Sequence, residues 1–457
     1  MTQKGAAMAG KDSHLMTEGT IWKEILRFSA PLIAGNVLQQ LYSTIDSVMV
    51  GQYVGPIALA AVGASTMVIY LLIAFSQGAA VGAGVIIAQY LGARNREKAE
   101  TAVHTSLALA VILGILLTAG GVLFIRSLLI WMDTPADVLP DAAVYMELYS
   151  AGLLFNVLYN MAAGILNAAG NTKRPLLYLS MAGVVHVLLA YAAITVFHMG
   201  IAGAALATDI GQALSAALCL GYLMRTRTDY QVFLRKITLH RAMARRILAV
   251  AVPVGVQNTV INLSNVFVQA SVNGFGAAVV AGFGVYLRID GLIVLPILSI
   301  GMAATTFIGQ NYGAGNMDRL WKGLAVTLAM GAVYSTLAGV ILLFFSADIG
   351  RLFTGDETVI YECMRTMWYF CPYYVIMSFL NILGGAVRGV GKSVPPMVVM
   401  LLSFCVFRIF WLTCLFPLQP VIETVYLVYP VSWTLGLLMM VWYTWQKGFR
   451  TLKAFSS

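Results

Sequence analysis

The chain has 457 residues, of which 60% are hydrophobic and only 10% are charged. A soluble domain carries about 25% charged residues, so this composition excludes a soluble protein and indicates a polytopic membrane protein. The net charge of +9 would suit a nucleic-acid partner only if the basic residues formed one patch, which their distribution along the chain excludes.

Long apolar stretches follow one another almost from end to end of the chain. Crossing a hydrocarbon core of about 30 Å takes about 20 helical residues, and stretches of that length predict twelve membrane helices, numbered here as spans 1–12. Their predicted limits are 25–52, 57–90, 99–125, 140–168, 175–197, 201–224, 247–274, 277–311, 320–346, 358–387, 394–416 and 422–446. The predicted fold class is therefore an all-α polytopic membrane protein.

Lysine and arginine cluster on one side of these spans. The basic loops, the tails 1–24 and 447–457, the linker 225–246 and the span ends that adjoin them hold 23 of the 28 basic residues, whereas the opposite loops hold only Arg126 and Arg351. The positive-inside rule assigns the basic side to the cytoplasm. We therefore expect a multi-pass protein of the cytoplasmic (inner) membrane with both termini cytoplasmic, and no nucleic-acid partner.

Span 1 contains an isolated acid. Asp46 is the only charged residue between Arg27 and Arg94. A charged side chain at the centre of a bilayer costs about 2.5–3.5 kcal/mol on insertion scales, so a carboxylate retained there usually binds a cation or a proton. The alternative is a structural hydrogen bond between helices.

The two halves of the chain repeat. The motif that begins at Gln89 returns 221 residues later at Gln310, and the motif at Gly164 returns at Gly385 with the same offset. Equivalent loops lie on the same side because six spans separate them, so the repeats are parallel. The lobes are predicted at 25–224 (spans 1–6) and 247–446 (spans 7–12), enclosing a central cleft.

Several motifs resemble those of the MATE (multidrug and toxic compound extrusion) transporters. They are 41–51 with 59–63, 89–93, 201–208, 288–290 and 301–315, and the resemblance extends over residues 20–447. It implies twelve helices in two six-helix repeats that form a V-shaped bundle. It also implies a secondary active antiporter that exports organic, cationic or aromatic compounds in exchange for H+ or Na+. We expect a monomer in the lipid bilayer that binds small organic molecules and needs no cofactor.

The resemblance also assigns the coupling site. Asp46 matches the family's carboxylate in the first helix, and Thr208 matches a threonine near it. The family's second acid, in the fifth helix, is replaced by Ala190, with His186 at the position of a family asparagine. Asp209 has no family counterpart. We expect Asp46, His186, Thr208 and Asp209 to bind the coupling cation, and one acid with a histidine favours H+ over Na+ at Asp46. The alternatives are that His186 only makes a hydrogen bond between helices and that Asp209 pairs structurally with His186.

Polar residues in the second half indicate where substrate binds. Asn258, Asn262, Asn265 and Gln269 form one stripe along span 7, which either lines the cleft or makes hydrogen bonds between helices. Asp290 either belongs to the cleft or pairs with Arg288. Weaker candidates for substrate contact are Tyr42, Met67, Tyr70, Met302 and Phe307.

Two other classes are less well supported. A flippase for lipid-linked oligosaccharide needs a cationic cavity, yet arginine inside the spans is limited to Arg288, Arg365 and Arg408. A membrane-embedded enzyme needs a cluster of catalytic side chains, and the five histidines are scattered. No Walker-type phosphate loop occurs, so we expect neither an enzyme nor an ATP-driven pump.

Overall fold

A computed structural model of the chain describes residues 15–448. This part consists of helices joined by short turns and loops and contains no β-strand, which confirms the predicted all-α class. Residues 1–14 and 449–457 of the predicted tails lie outside the described part, and so do the basic residues Lys4, Lys11, Arg450 and Lys453.

Each predicted span corresponds to a helix or a helix pair. Within residues 15–448, ten helices are long and apolar enough to cross a membrane, and span 4 is a pair, Leu139–Ala151 and Leu153–Ala168, bent by 47°. Span 1 is the helix Ile21–Tyr53, which is not among these ten. The ten are Pro56–Gly92 (span 2), Arg96–Trp131 (3), Lys173–Val196 (5), Gly200–Arg225 (6), Arg241–Phe275 (7), Ala277–Gly313 (8), Met317–Phe344 (9), Glu357–Gly389 (10), Val394–Leu418 (11) and Ile422–Gln446 (12).

The internal repeat extends to the backbone conformation. Gly55 (φ 125°) and Gly276 (φ 94°) precede spans 2 and 8, and Gly170 (φ 81°) and Gly391 (φ 86°) precede spans 5 and 11. Both pairs are separated by 221 residues, and each member adopts a left-handed conformation that glycine tolerates best. The repeat in the sequence therefore reflects a repeat in the fold.

Equivalent helix crossings recur at the same offset. A Cβ at Gly164 in span 4 would lie 2.9 Å from the carbonyl oxygen of Ala80 in span 2, and one at Gly385 in span 10 would lie 2.4 Å from that of Gly301 in span 8. Close approach of two backbones requires small residues at the crossing. These glycines therefore set the distance between helices in both halves.

The chain divides into two compact units. The first contains Ala30–Gly255, and the second contains Met16–Ser29 together with residues 256–448. The boundaries fall inside spans 1 and 7, beside Pro31 and Pro253, each of which removes a backbone hydrogen bond from its helix. The units differ from the predicted lobes because the start of span 1 packs in the second unit, whereas the linker and the start of span 7 pack in the first.

The linker folds onto the start of span 3. Tyr230 is fully buried, and the backbone N–H of Phe233 donates to His104 Nε2 at 3.0 Å. Lys236 Nζ forms an ion pair with Glu100 Oε1 at 2.6 Å. These contacts explain why the segment belongs to the first unit.

A short segment before span 1, residues 16–19, is called the N-terminal strap here. The Met16 N–H donates to Gln310 Oε1 at 2.7 Å. Arg319 of span 9 donates to three strap carbonyl oxygens, those of Met16 (3.1 Å), Glu18 (2.6 Å) and Gly19 (2.8 Å). The strap is thereby fastened to the end of span 8 and the start of span 9 within the second unit.

Candidate functional site

Three of the four predicted coupling residues meet inside the first unit. His186 Nε2 of span 5 lies 3.2 Å from Asp46 Oδ1 of span 1 and 3.4 Å from Thr208 Oγ1 of span 6. The Asp46 and His186 side chains are only 17% and 8% exposed. A carboxyl, an imidazole and a hydroxyl therefore share one largely buried position.

Glycine residues make room for this cluster. A Cβ at Gly183 would lie 1.9 Å from the Tyr42 ring, and one at Gly211 would lie 3.0 Å from the His186 Cβ. The Tyr42 ring in turn meets the His186 ring edge-on, with 6.2 Å between centroids. Sequence reasoning missed both glycines. The only indication in the sequence was that each glycine lies three residues from a polar residue of the same helix, His186 or Thr208.

The cluster can hold a proton between two groups. His186 Nε2 faces both oxygens, and the Thr208 hydroxyl is already engaged with the Ala204 carbonyl oxygen at 3.0 Å. The 3.2 Å approach to Asp46 Oδ1 lacks hydrogen-bond alignment, and no other described residue bonds that buried oxygen. A proton on Nε2 can therefore move to the carboxylate after a small rotation of either side chain.

The oxygen ligands available to a metal ion are few. Within residues 15–448, no three His, Cys, Asp or Glu side chains come together in an arrangement suited to a metal. Asp46 and Thr208 offer one carboxylate and one hydroxyl, whereas Na+ prefers several hard oxygen ligands. Ala190, at the position where the resemblance described above implies a second acid, is buried and contributes none.

Asp209 lies apart from this cluster. Its Oδ1 would be only 1.9 Å from a Cβ placed on Gly152, so the carboxylate covers the break in span 4. No hydrogen bond or ion pair to Asp209 is found among the described residues. Asp209 is therefore not bonded to the group that Asp46, His186 and Thr208 form.

In the second unit, Asp290 is bonded by tyrosines. Its Oδ1 accepts from Tyr286 Oη at 2.9 Å and from Tyr374 Oη at 2.7 Å. Among the described residues, Arg288 forms no ion pair with it, so the alternative of an Arg288–Asp290 pair is wrong. Tyr286 and Tyr374 were not identified from the sequence.

The polar stripe of span 7 has mixed surroundings. Asn265 Oδ1 accepts from Arg408 Nη1 at 3.0 Å, and Gln269 Nε2 donates to Asn273 Oδ1 at 2.9 Å. Asn262 is exposed and Asn258 is half-buried. Part of the stripe is thus available to a ligand, and part forms bonds within the unit.

The weaker candidates for substrate contact differ in exposure. Met67, Tyr70 and Met302 are 39%, 51% and 38% exposed, whereas Phe307 is fully buried. The Phe307 ring lies under the Arg319 guanidinium and against Gly323 of span 9. Burial therefore removes Phe307 from the set that can touch a substrate in this conformation.

Comparisons with known proteins agree with this architecture. The model of the MatE family matches residues 31–192 and 253–412. The probable multidrug resistance protein YpnP of Bacillus subtilis is 30% identical over 392 residues, covering 86% of this chain and 88% of that protein. YoeA of the same organism, also a probable multidrug resistance protein, is 26% identical over 441 residues, covering 94% and 95%.

Solved structures show the same fold. A crystal structure of a MATE protein in complex with MaL6 superposes with a TM-score of 0.88 at 24% identity, covering 94% of this chain and 97% of that one. Another, of a MATE protein in the bent conformation, gives a TM-score of 0.86 at 23% identity over 97% of both chains.

Proposed function

The chain belongs to the MatE family of membrane transporters, and on that premise we propose that it is a secondary active antiporter that exports organic compounds in exchange for H+. Family membership makes it a multi-pass membrane transporter and not an enzyme. The observation that supports exchange for H+ is the buried contact between Asp46 and His186.

Entry of a proton from outside changes the charge of the Asp46–His186 pair. With His186 protonated and Asp46 ionised, the pair is held by a short charged contact. When a second proton neutralises Asp46, that attraction is lost and the side chains, which belong to spans 1 and 5, can separate. A change in helix packing can therefore follow protonation, as antiport requires.

The ligand set favours H+ over Na+ as the coupling ion. Histidine titrates near neutral pH, while its nitrogen is a poor ligand for a hard alkali cation. With Ala190 in place of a second acid, Na+ would depend on Asp46 and Thr208 alone. Asp209 enters the proposal only as a second carboxyl, which is tested by its own variant.

Substrate contacts are proposed for the exposed members of the predicted set. In the first unit these are Met67 and Tyr70, with Tyr42 beside the coupling cluster. In the second unit Asn262 and Met302 are exposed. Flexible methionine and flat aromatic surfaces suit a range of aromatic cations.

The location follows from the distribution of charge. We propose that the protein lies in the cytoplasmic membrane with both termini in the cytoplasm, because the basic loops and tails share one side. We also propose that it acts as a monomer, as the resemblance implies. Cysteine labelling at Thr238, which is exposed in the linker, and at Thr354, in segments assigned to opposite sides, would test the orientation.

Ethidium transport in everted membrane vesicles tests the mechanism. An imposed pH gradient should drive uptake into the vesicles, and an imposed Na+ gradient should not. Asp46→Asn should abolish the pH-driven uptake. Asp209→Asn tests separately whether the second carboxyl takes part in coupling. Asp356→Asn is the matched control, because asparagine caps a helix as well as aspartate does, and Asp356 caps span 10. Undiminished pH-driven uptake by Asp46→Asn would refute the proposal.

A further inference from the structure

Arg408 of span 11 is a buried charge without an acidic partner. It is 1% exposed, and its guanidinium donates to Ser432 Oγ (3.1 Å), Asn265 Oδ1 (3.0 Å) and Ser264 Oγ (3.5 Å). Every one of these acceptors is neutral, and no carboxylate within residues 15–448 forms an ion pair with Arg408. Since arginine does not lose its proton in proteins, a permanent positive charge lies inside the second unit.

The surroundings hold the guanidinium in one place. The rings of Phe404 and Tyr429 lie 4.5 and 4.3 Å from its central carbon, a distance at which a cation is attracted to an aromatic face. The turn that carries Arg408 lies between two π-helical stretches, Leu401–Val406 and Trp411–Leu415. Such interruptions of a helix occur frequently at functional sites.

Arg408 fixes which edge of Asn265 faces outward. A guanidinium has donors and no acceptor, so the amide atom that it touches must be the oxygen. The Asn265 NH2 group therefore points away from Arg408, and Asn265 itself is exposed. Its outward edge offers two N–H donors with a positive charge behind them.

An exposed edge of this kind recognises hydrogen-bond acceptors. A cation would meet N–H donors and a like charge, whereas a carboxylate would receive hydrogen bonds in a favourable potential. An asparagine facing hydrocarbon would leave these donors unsatisfied at a cost of several kcal/mol, so the edge must face a polar medium or a ligand. The polar stripe that includes Asn258 and Asn262 continues along the same helix.

We propose that Asn265, oriented by Arg408, is a specificity-determining contact for organic substrates that carry a carboxylate or another anionic acceptor group. This inference rests on the proposed export of organic compounds and adds that, beside its aromatic or cationic part, the substrate carries an anionic acceptor group. Asn265 touches the substrate, and Arg408 is a positioning residue that acts through it.

A matched pair of dyes tests the contact. A rhodamine with a free carboxylate and its methyl ester share one fluorophore and differ only at the acceptor group. Fluorescence anisotropy with purified protein in detergent gives the Kd of each dye without any ion gradient. The wild type should bind the acid more tightly than the ester.

Asn265→Asp should weaken binding of the acid by about tenfold, because a hydrogen bond to a charged group is lost and a like charge is introduced. Binding of the ester should not weaken. Arg408→Gln should bring the two Kd values together, and Arg408→Lys, which keeps the charge, should restore part of the preference. Asn273→Asp is the control: Asn273 is exposed on the same span and does not contact Arg408.

An unchanged ratio of the two Kd values in Asn265→Asp would overturn the inference, and this variant decides the question even if Arg408→Gln does not fold. The inference would also be overturned if Asn273→Asp reduced the preference for the acid as much as Asn265→Asp does. Transport driven by a pH gradient is measured separately. If the wild type prefers the acid as expected but shows no transport driven by a pH gradient, the antiport mechanism is refuted and this contact is supported.

Discussion

Replacing Arg319 with alanine should release the N-terminal strap. Arg319 is the only side chain in the described part of the chain that donates to three strap carbonyl oxygens. The substitution leaves the two other bonds of Met16, to Gln310 and to Asn311. We therefore expect residues 18–19 to open locally while the fold of the second unit persists.

The size of the effect follows from the exposure of each bond. A hydrogen bond to a charged group contributes about 1.5–3 kcal/mol, and exposed charged contacts contribute much less. The bond to Met16 is partly buried, and those to Glu18 and Gly19 are exposed. Together they should stabilise the closed strap by about 2 kcal/mol, so its opening constant should increase about thirtyfold.

Hydrogen–deuterium exchange of a peptide that covers the strap and the start of span 1 measures this opening directly. Lys322→Ala is the matched control, because Lys322 is an exposed cation on the same helix. Arg319→Lys should give an intermediate result, since an ammonium cannot reproduce the planar set of donors. Strap exchange that is equal in Arg319→Ala and in the wild type would refute the reasoning.

Two further predictions concern glycines that touch functional side chains. Gly183→Ala places a methyl group within 1.9 Å of the Tyr42 ring, so it should displace that ring, lower the apparent Tm and change transport. Gly152→Ala should destabilise the protein by about 1–3 kcal/mol through its collision with Asp209, and Asp209→Ser in the same chain should restore most of the lost Tm. Gly35→Ala, whose Cβ meets only ordinary contacts at 3.8 Å, is the control for both. A wild-type Tm for either variant would contradict the packing described.

Hydrophobicity alone was sufficient to locate the spans. Predicted limits such as 57–90 and 422–446 agree with Pro56–Gly92 and Ile422–Gln446 to within two residues. The largest differences, of six residues, are at the end of span 3, predicted at 125 and observed at Trp131, and at the start of span 7, predicted at 247 and observed at Arg241. There the helix continues past the most apolar stretch, because backbone hydrogen bonding does not depend on hydropathy.

Helix geometry explains which residues of the predicted site contact one another and which do not. Successive residues of a helix point about 100° apart, so Thr208 and Asp209 cannot both face His186. Residues two apart do not face each other either, whereas residues four apart do. That is why Asp290 is bonded by Tyr286 and not paired with Arg288.

Contacts distant in sequence could not be predicted in this way. Asn265 and Arg408 are separated by 143 residues, and nothing in either helix indicates the other. The burial of Phe307 likewise depends on Arg319 and Gly323, which belong to the next span. A single sequence shows which residues are unusual for a membrane, but it does not show which of them meet.

The strap also constrains the order of biosynthesis. Met16 leaves the ribosome 294 residues before Gln310, its hydrogen-bond partner. At a synthesis rate of about 5–20 residues per second, that interval lasts about 15–60 s. Throughout it, the start of span 1 must enter the bilayer without the contacts that later hold it, and the second unit is completed only when this early segment returns to it. A ribosome that stalls within the second half would therefore leave a nascent chain whose first helix still lacks its anchor.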